Sequence, residues 1–89
     1  MLSVYKYDLP MDDFVTIEMP AFAKVLHVAM QHGSPRIWAL VDPSMKPLPI
    51  RFRIAGTGHP IAEHHAEKHI GTILMEGGAL VWHVFQVDR

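Results

Sequence analysis

The sequence predicts an all-β fold, a small antiparallel β-sandwich or barrel of about seven strands with at most one short helix. Three observations lead to this prediction. Apolar residues alternate with polar residues in short segments, as they do in half-buried strands. Proline and glycine interrupt the chain at short intervals, which is typical of turns between strands. The 89 residues are 49% hydrophobic and 19% charged, a balance that suits a single globular domain over residues 1–89.

The first half of the chain contains four of the predicted strands, at residues 3–7, 14–19, 24–31 and 36–41. Pro10 closes the first strand and Pro20 ends the second, because proline cannot donate a backbone hydrogen bond to a sheet. Residues 32–35 predict a hairpin loop slightly longer than the tightest type. The proline-rich residues 41–49 predict a connection that crosses one end of the sheet.

The fifth strand, at residues 49–55, has the clearest alternation in the chain. Ile50, Phe52 and Ile54 alternate with Arg51, Arg53 and Ala55. This pattern predicts apolar side chains facing the core and guanidinium groups facing solvent.

The last two strands, at residues 69–75 and 79–87, flank a glycine-containing turn. The final strand is apolar on both faces, so we expect it to be central in a sheet or to contact another subunit. Trp82 and Phe85 fall on opposite faces of it and are candidate interface residues. A small all-β chain has little core and exposed strand edges, which predicts a homo-oligomer.

A candidate ligand site follows the fifth strand. Gly56, Thr57, Gly58 and His59 form a loop whose backbone N–H groups could bind an anion, and Arg51 and Arg53 could add bidentate contacts. The glycine spacing matches neither the phosphate-loop pattern nor the dinucleotide-binding pattern. The alternative is purely structural: the glycines end the strand, and Pro60 begins a short helix.

Four of the seven histidines lie between residues 59 and 69. On a helix, His65 and His69 would share one face at the i,i+4 spacing that favours metal binding. The segment lacks the zinc-protease pattern, and the alternative is a set of exposed histidines on a polar loop.

No catalytic residue is predicted. The chain has no cysteine and no serine in a Gly-x-Ser-x-Gly turn, so we expect a protein that is not an enzyme and has no cofactor. The formal net charge of −1 argues against nonspecific nucleic-acid binding, which requires a basic surface. No apolar run approaches the roughly 20 residues that cross a bilayer, and no signal peptide is apparent, so we expect no membrane association.

The segments VYKYDLP, TIEMP, VLHVAMQHGSPRIWALVDP, RFRIAGTGHPI and HIGT…GGALVWHVF resemble a family of small uncharacterised proteins from tailed bacteriophages and prophages. The resemblance spans Tyr5 to Phe85. It implies a phage origin and expression in the host cytoplasm, and it makes GTGHP a family hallmark. The family is a domain of unknown function, so the resemblance supplies no functional residues.

Three functions are compatible with these observations. The first is a non-enzymatic accessory protein that binds a host or phage protein, for example to inhibit host defence or to redirect host metabolism. The second is a binder of a small anionic ligand, such as a nucleotide, at Arg51, Arg53 and residues 56–59. The third is a minor virion or assembly component.

Overall fold

A computed structural model describes residues 1–87 and contains seven strands in two antiparallel sheets. The strands are β1 (Ser3–Asp8), β2 (Phe14–Pro20), β3 (Lys24–Gln31), β4 (Ser34–Val41), β5 (Pro47–Gly56), β6 (His69–Met75) and β7 (Leu80–Val87). The only helical elements in these 87 residues are two single 3-10 turns, Glu63–His65 and Glu76–Gly78. The predicted all-β sandwich of about seven strands is confirmed. Within residues 1–87, no helix has the length and apolar character that crossing a membrane requires.

The strand order is β1-β4-β3 in the first sheet, called sheet A, and β2-β5-β7-β6 in the second, called sheet B. The predicted alternation holds in β5, where Phe52 and Ile54 are buried and Arg51 is exposed. The face of each sheet that is turned away from the other sheet is its outer face, and Arg51 and Arg53 lie on the outer face of sheet B. Strand β7 is central, between β5 and β6, which explains why it is apolar on both faces.

The core lies between the two sheets, and the side chains of its main cluster are apolar. Its buried side chains are Leu9, Val15, Met19, Val28, Ile37, Ala39, Val41, Phe52, Ile54, Ile73 and Val84. The sheets approach each other closely where β6 passes β3: a Cβ atom built on Gly71 would lie 2.8 Å from Cγ1 of Val28. Glycine is therefore the residue that this approach requires.

The β3–β4 hairpin is tighter than the sequence predicted. Gln31 pairs with Ser34, which leaves His32 and Gly33 as a two-residue turn. Both adopt positive φ, 52° and 79°, as a type I′ turn requires. The loop prediction was wrong because Ser34 and Pro35, read as turn residues, belong to β4.

Strand β5 also begins earlier than expected, inside the proline-rich stretch that was predicted as a connection. Pro47 pairs with Pro20, and Pro49 pairs with Glu18. The pairing of β5 with β7 starts only at Arg51. The first residues of β5 therefore form an edge, where the missing N–H groups of proline are tolerated.

Candidate functional site

Residues 57–68, called the crossover segment, connect β5 to β6 across the outer face of sheet B. The connection must cross β7, because β5 and β6 run in the same direction on either side of it. Arg53 donates from Nη2 to the carbonyl oxygen of Pro60 at 3.1 Å, and the N–H of Gln86 donates to the carbonyl oxygen of Lys68 at 2.9 Å. These bonds hold both ends of the histidine-rich segment against the sheet.

A cationic cluster surrounds one aromatic ring beneath this segment. The Cζ atoms of Arg51 and Arg53 lie 4.5 and 5.3 Å from the centre of the Phe14 ring, and the His65 ring meets Phe14 edge-on at 5.1 Å between centroids. His64 follows, with its ring centroid 4.0 Å from that of His65. We call Phe14, Arg51, Arg53, His64 and His65 the Arg51 cluster. Cations over an aromatic face are attracted to its quadrupole, which fixes both arginines near the ring.

The electrostatic state of the cluster is visible at His65. Partial burial is the main factor that lowers the pKa of this imidazole, and the neighbouring His64, Arg51 and Arg53 lower it further. Each of these neighbours disfavours protonation of the His65 imidazole. The cluster therefore has a positive local field, although the formal net charge of the chain is −1.

The two arginines that the sequence paired as ligand contacts have different surroundings. Arg53 has a side chain only 12% exposed and donates to the carbonyl oxygens of Ile54, Asp13 and Pro60. It ties β5 to the N-terminal end of β2 and to the crossover segment, which is a structural role. Arg51 is exposed, and within residues 1–87 its guanidinium contacts the Phe14 ring without a hydrogen-bond partner.

The glycine loop lies apart from Arg51, at the end of the sandwich. A Cβ atom on Gly56 would lie 2.9 Å from His59 Cε1 and 3.2 Å from Trp82 Cζ3, so a larger residue would displace the His59 ring. Gly58 has a φ of 87°. The N–H groups of Thr57 and His59 already bond the carbonyl oxygens of Val81 and Gly56. Arg51 lies five residues before Gly56 on β5 and so is not next to the loop, and an anion site shared by the two stays a prediction.

An open pocket of about 300 Å³ accompanies the glycine loop and is lined by Gly56, Thr57, His59, Ala79, Leu80, Val81 and Trp82. Its wall is mainly apolar, and the ring of His59 meets that of Trp82 edge-on at 6.2 Å between centroids. Neither Arg51 nor Arg53 is among the residues that line it.

His83, on the outer face of β7, has a hydrogen-bond partner at each ring nitrogen. Its Nε2 lies 2.8 Å from Thr57 Oγ1, and its Nδ1 lies 3.0 Å from Thr72 Oγ1. Thr72 Oγ1 also lies 3.3 Å from His69 Nε2. A hydroxyl beside an imidazole resembles a nucleophile and its base, but the group that orients His83 is a neutral hydroxyl, which cannot stabilise an imidazolium as a carboxylate does.

The helical spacing on which the metal hypothesis depended is not formed. Only Glu63–His65 make a 3-10 turn, and His69 already belongs to β6. His65 packs on Phe14, whereas His69 packs on Phe85 at 5.2 Å between centroids. Across residues 1–87, no group of three or more His, Asp or Glu side chains is arranged to hold a metal ion. The helix that this spacing requires does not form: Ala62 is extended and a single 3-10 turn follows it, which agrees with the prediction of at most one short helix.

The two candidate interface residues do lie on opposite faces of β7. Trp82 pairs with Gly56 and Ile73 on the core side, and Phe85 pairs with Arg53 on the outer face under the crossover segment. Both are half-buried within the monomer. Their role in an interface stays a prediction.

A second surface was not predicted from the sequence. The side chain of Phe22, in the turn between β2 and β3, is 89% exposed. It borders an open groove of about 270 Å³ that is lined by Leu2, Ala21, Phe22, Lys24, Leu40, Asp42 and Met45. We call these residues the Phe22 groove. The signal was present in the sequence as an aromatic residue two positions after Pro20, inside a turn where polar residues are usual.

Comparison with known proteins identifies the family but no activity. A family model described as a domain of unknown function (DUF7352) matches residues 1–89. No curated protein and no solved structure matches the chain. The expectation of a family of unknown function covering nearly the whole chain is confirmed, and the phage origin stays a prediction. Because the match extends from the first residue to the last, the chain belongs to the DUF7352 family.

Proposed function

We propose that this protein is a non-enzymatic accessory binding protein, encoded by a phage or prophage, that engages a host or phage protein through the Phe22 groove. The observation that carries this proposal is the conformation and exposure of Phe22. The resemblance to phage proteins supports the phage origin, and a role in host takeover or defence inhibition suits a small scaffold with an exposed binding surface.

Phe22 is unfavourable for the isolated chain in two ways. Its φ is 67°, and the left-handed region costs a residue with a side chain about 1–2 kcal/mol. Its ring is 89% exposed, so the fold gains almost no hydrophobic stabilisation from it. Glycine or asparagine would satisfy the same turn. Strained residues of this kind cluster at binding sites, where the strain holds a side chain in the orientation that a ligand requires.

The surroundings of Phe22 suit an apolar contact from a partner. Leu2, 60% exposed, lies in the same groove, and Val4, 56% exposed, pairs with Leu40 on the outer face of sheet A. Lys24 and Asp42 place one charge of each sign at the groove. An exposed aromatic beside apolar residues, with charged groups around them, is the usual composition of a protein-binding hot spot.

The test replaces Phe22 with a residue that adopts the same backbone conformation without strain. Phe22→Gly removes the ring and relieves the positive φ, so the variant should fold at least as well as the wild type. A photo-crosslinking phenylalanine analogue at position 22, expressed in infected cells, should give a discrete crosslinked product. The same analogue at Leu74, which is 57% exposed on the outer face of sheet B, is the matched control and should not.

Once the crosslinked protein is purified, its affinity for the Phe22→Gly variant should fall by at least about 30-fold, the equivalent of about 2 kcal/mol for an aromatic hot spot. Unchanged affinity, or equal crosslinking from positions 22 and 74, would contradict the proposal. A crosslinked dimer of this chain would identify the partner as a second copy, and a capsid or tail protein would favour the virion role.

A further inference from the structure

We propose that the Arg51 cluster on the outer face of sheet B binds a small phosphate-bearing ligand, with Arg51 as the group that contacts the phosphate. This site is separate from the Phe22 groove, which belongs to the other sheet. It is also not the predicted combination of Arg51 with the glycine loop: Gly56 lies five residues along β5, about 17 Å at roughly 3.3 Å per residue.

The Phe14 ring holds the Arg51 guanidinium in place, and within residues 1–87 this guanidinium donates no hydrogen bond. The guanidinium lies 4.5 Å from the centre of the Phe14 ring, which limits its motion. Arg53 uses its donors on the carbonyl oxygens of Ile54, Asp13 and Pro60, whereas Arg51 has no hydrogen-bond partner within residues 1–87. A guanidinium presents a planar set of donors that matches two oxygens of a phosphate, and stacking on a ring leaves those donors available.

Within residues 1–87, the only ion pair made by a basic side chain of the cluster is a weak one. Arg51, Arg53 and His65 surround the Phe14 ring, and His64 packs on His65. The nearest carboxylate to Arg53 is that of Asp13, at 3.8 Å with a side chain 84% exposed, which is a weak surface contact. Glu63 precedes the histidines in the same 3-10 turn. An anion next to Arg51 and the histidines would relieve the mutual repulsion that His65 experiences from its cationic neighbours.

The donors of the Arg51 cluster suit a phosphate group. A phosphate monoester carries up to two negative charges and presents three acceptor oxygens, which match the paired donors of a guanidinium. Few cations take part and they surround one ring, so the site fits one phosphate group. It does not form the extended basic stripe that a nucleic-acid backbone needs.

The experiment is a titration of the ¹⁵N-labelled full chain with inorganic phosphate at constant ionic strength and constant pH. We expect saturable shifts at Phe14, Arg51, His64 and His65. Arg51→Gln should weaken phosphate binding about tenfold or more, the loss expected for hydrogen bonds to a charged group. His64→Gln should weaken it less, and Lys24→Gln, which removes an exposed cation on sheet A, should leave it unchanged.

Further titrations distinguish the sources of the phosphate group. Adenosine monophosphate that binds much more tightly than phosphate, with added shifts around Phe14, would identify a nucleotide; equal affinities would identify the phosphate group alone as the determinant. The proposal is overturned if chloride or sulfate produces the same unsaturated shifts at every basic residue. It is also overturned if the Arg51→Gln variant binds as the wild type does. A single-stranded oligonucleotide whose affinity rises with its length would replace the small ligand with nucleic acid.

Discussion

Gly71→Ala should destabilise the protein because of how closely β6 approaches β3. Gly71 does not adopt a positive φ, so its backbone accepts alanine, which alone would favour folding by about 0.4–1 kcal/mol. The new Cβ would, however, lie 2.8 Å from Cγ1 of Val28. Val28 is buried and β-branched, so this methyl group cannot rotate away. Overpacking of a filled core costs about 1–3 kcal/mol. We therefore expect a net loss of about 1–2 kcal/mol, and a fall in Tm of about 4–15 °C for a domain of this size.

A double-mutant cycle with Val28→Ala distinguishes this clash from any general effect of the substitution. Val28→Ala alone should cost roughly 1–3 kcal/mol through the cavity that it leaves. In the double variant the clashing Cγ1 is absent and the new methyl group occupies part of the cavity. The loss should then be smaller than the sum of the single losses by about 1 kcal/mol or more. Urea unfolding followed by tryptophan fluorescence measures all four corners. Additive losses, or a Gly71→Ala variant more stable than wild type, would refute the packing of sheet A on sheet B at this position.

Two further predictions concern the polar groups of sheet B. Gln86 faces the core opposite Phe52, and its buried Oε1 has no hydrogen-bond partner within residues 1–87. Gln86→Met should therefore raise the free energy of unfolding, measured in urea, by about 1 kcal/mol. A lower free energy of unfolding would indicate that this oxygen accepts a hydrogen bond. Because the pKa of His65 is lowered in the folded chain, the unfolded chain binds a proton first as the pH falls through the ordinary imidazole value, so stability should decrease on acidification. His65→Gln should reduce this slope between neutral and mildly acidic pH, and an unchanged slope would show that another group is responsible.

The sequence predicted most of the fold, because alternation and turn residues are local signals. The side-chain orientations of β5 and the opposite faces of Trp82 and Phe85 follow from a period of two along one strand. The central position of β7 follows from its apolar residues on both faces. The errors occur where one residue type is found both in turns and in strands. Ser34 and Pro35 were read as turn residues although they lie in β4, and the prolines at the start of β5 were read as a connection although they lie on a local edge.

The candidate sites were harder to predict because they depend on pairing between distant segments. Phe14 reaches Arg51 only because β2 pairs with β5, in a register that places Phe14 opposite Arg53, some forty positions away along the chain. No local pattern specifies that register. For the same reason, the sequence predicted that the two arginines act together. In the structure, Arg53 donates to nearby carbonyl oxygens, and Arg51 remains exposed.

The two proposed surfaces should act independently, and their positions explain why. The Phe22 groove includes Leu40 on the outer face of sheet A, and the Arg51 cluster lies on the outer face of sheet B, with the apolar core between them. No side chain belongs to both, and substitutions this far apart usually combine within about 0.5 kcal/mol. Phe22→Gly should therefore leave phosphate binding unchanged, and Arg51→Gln should leave partner binding unchanged. If either variant affected both, the partner would have to extend around an edge of the sandwich, and the phosphate would then be part of that partner.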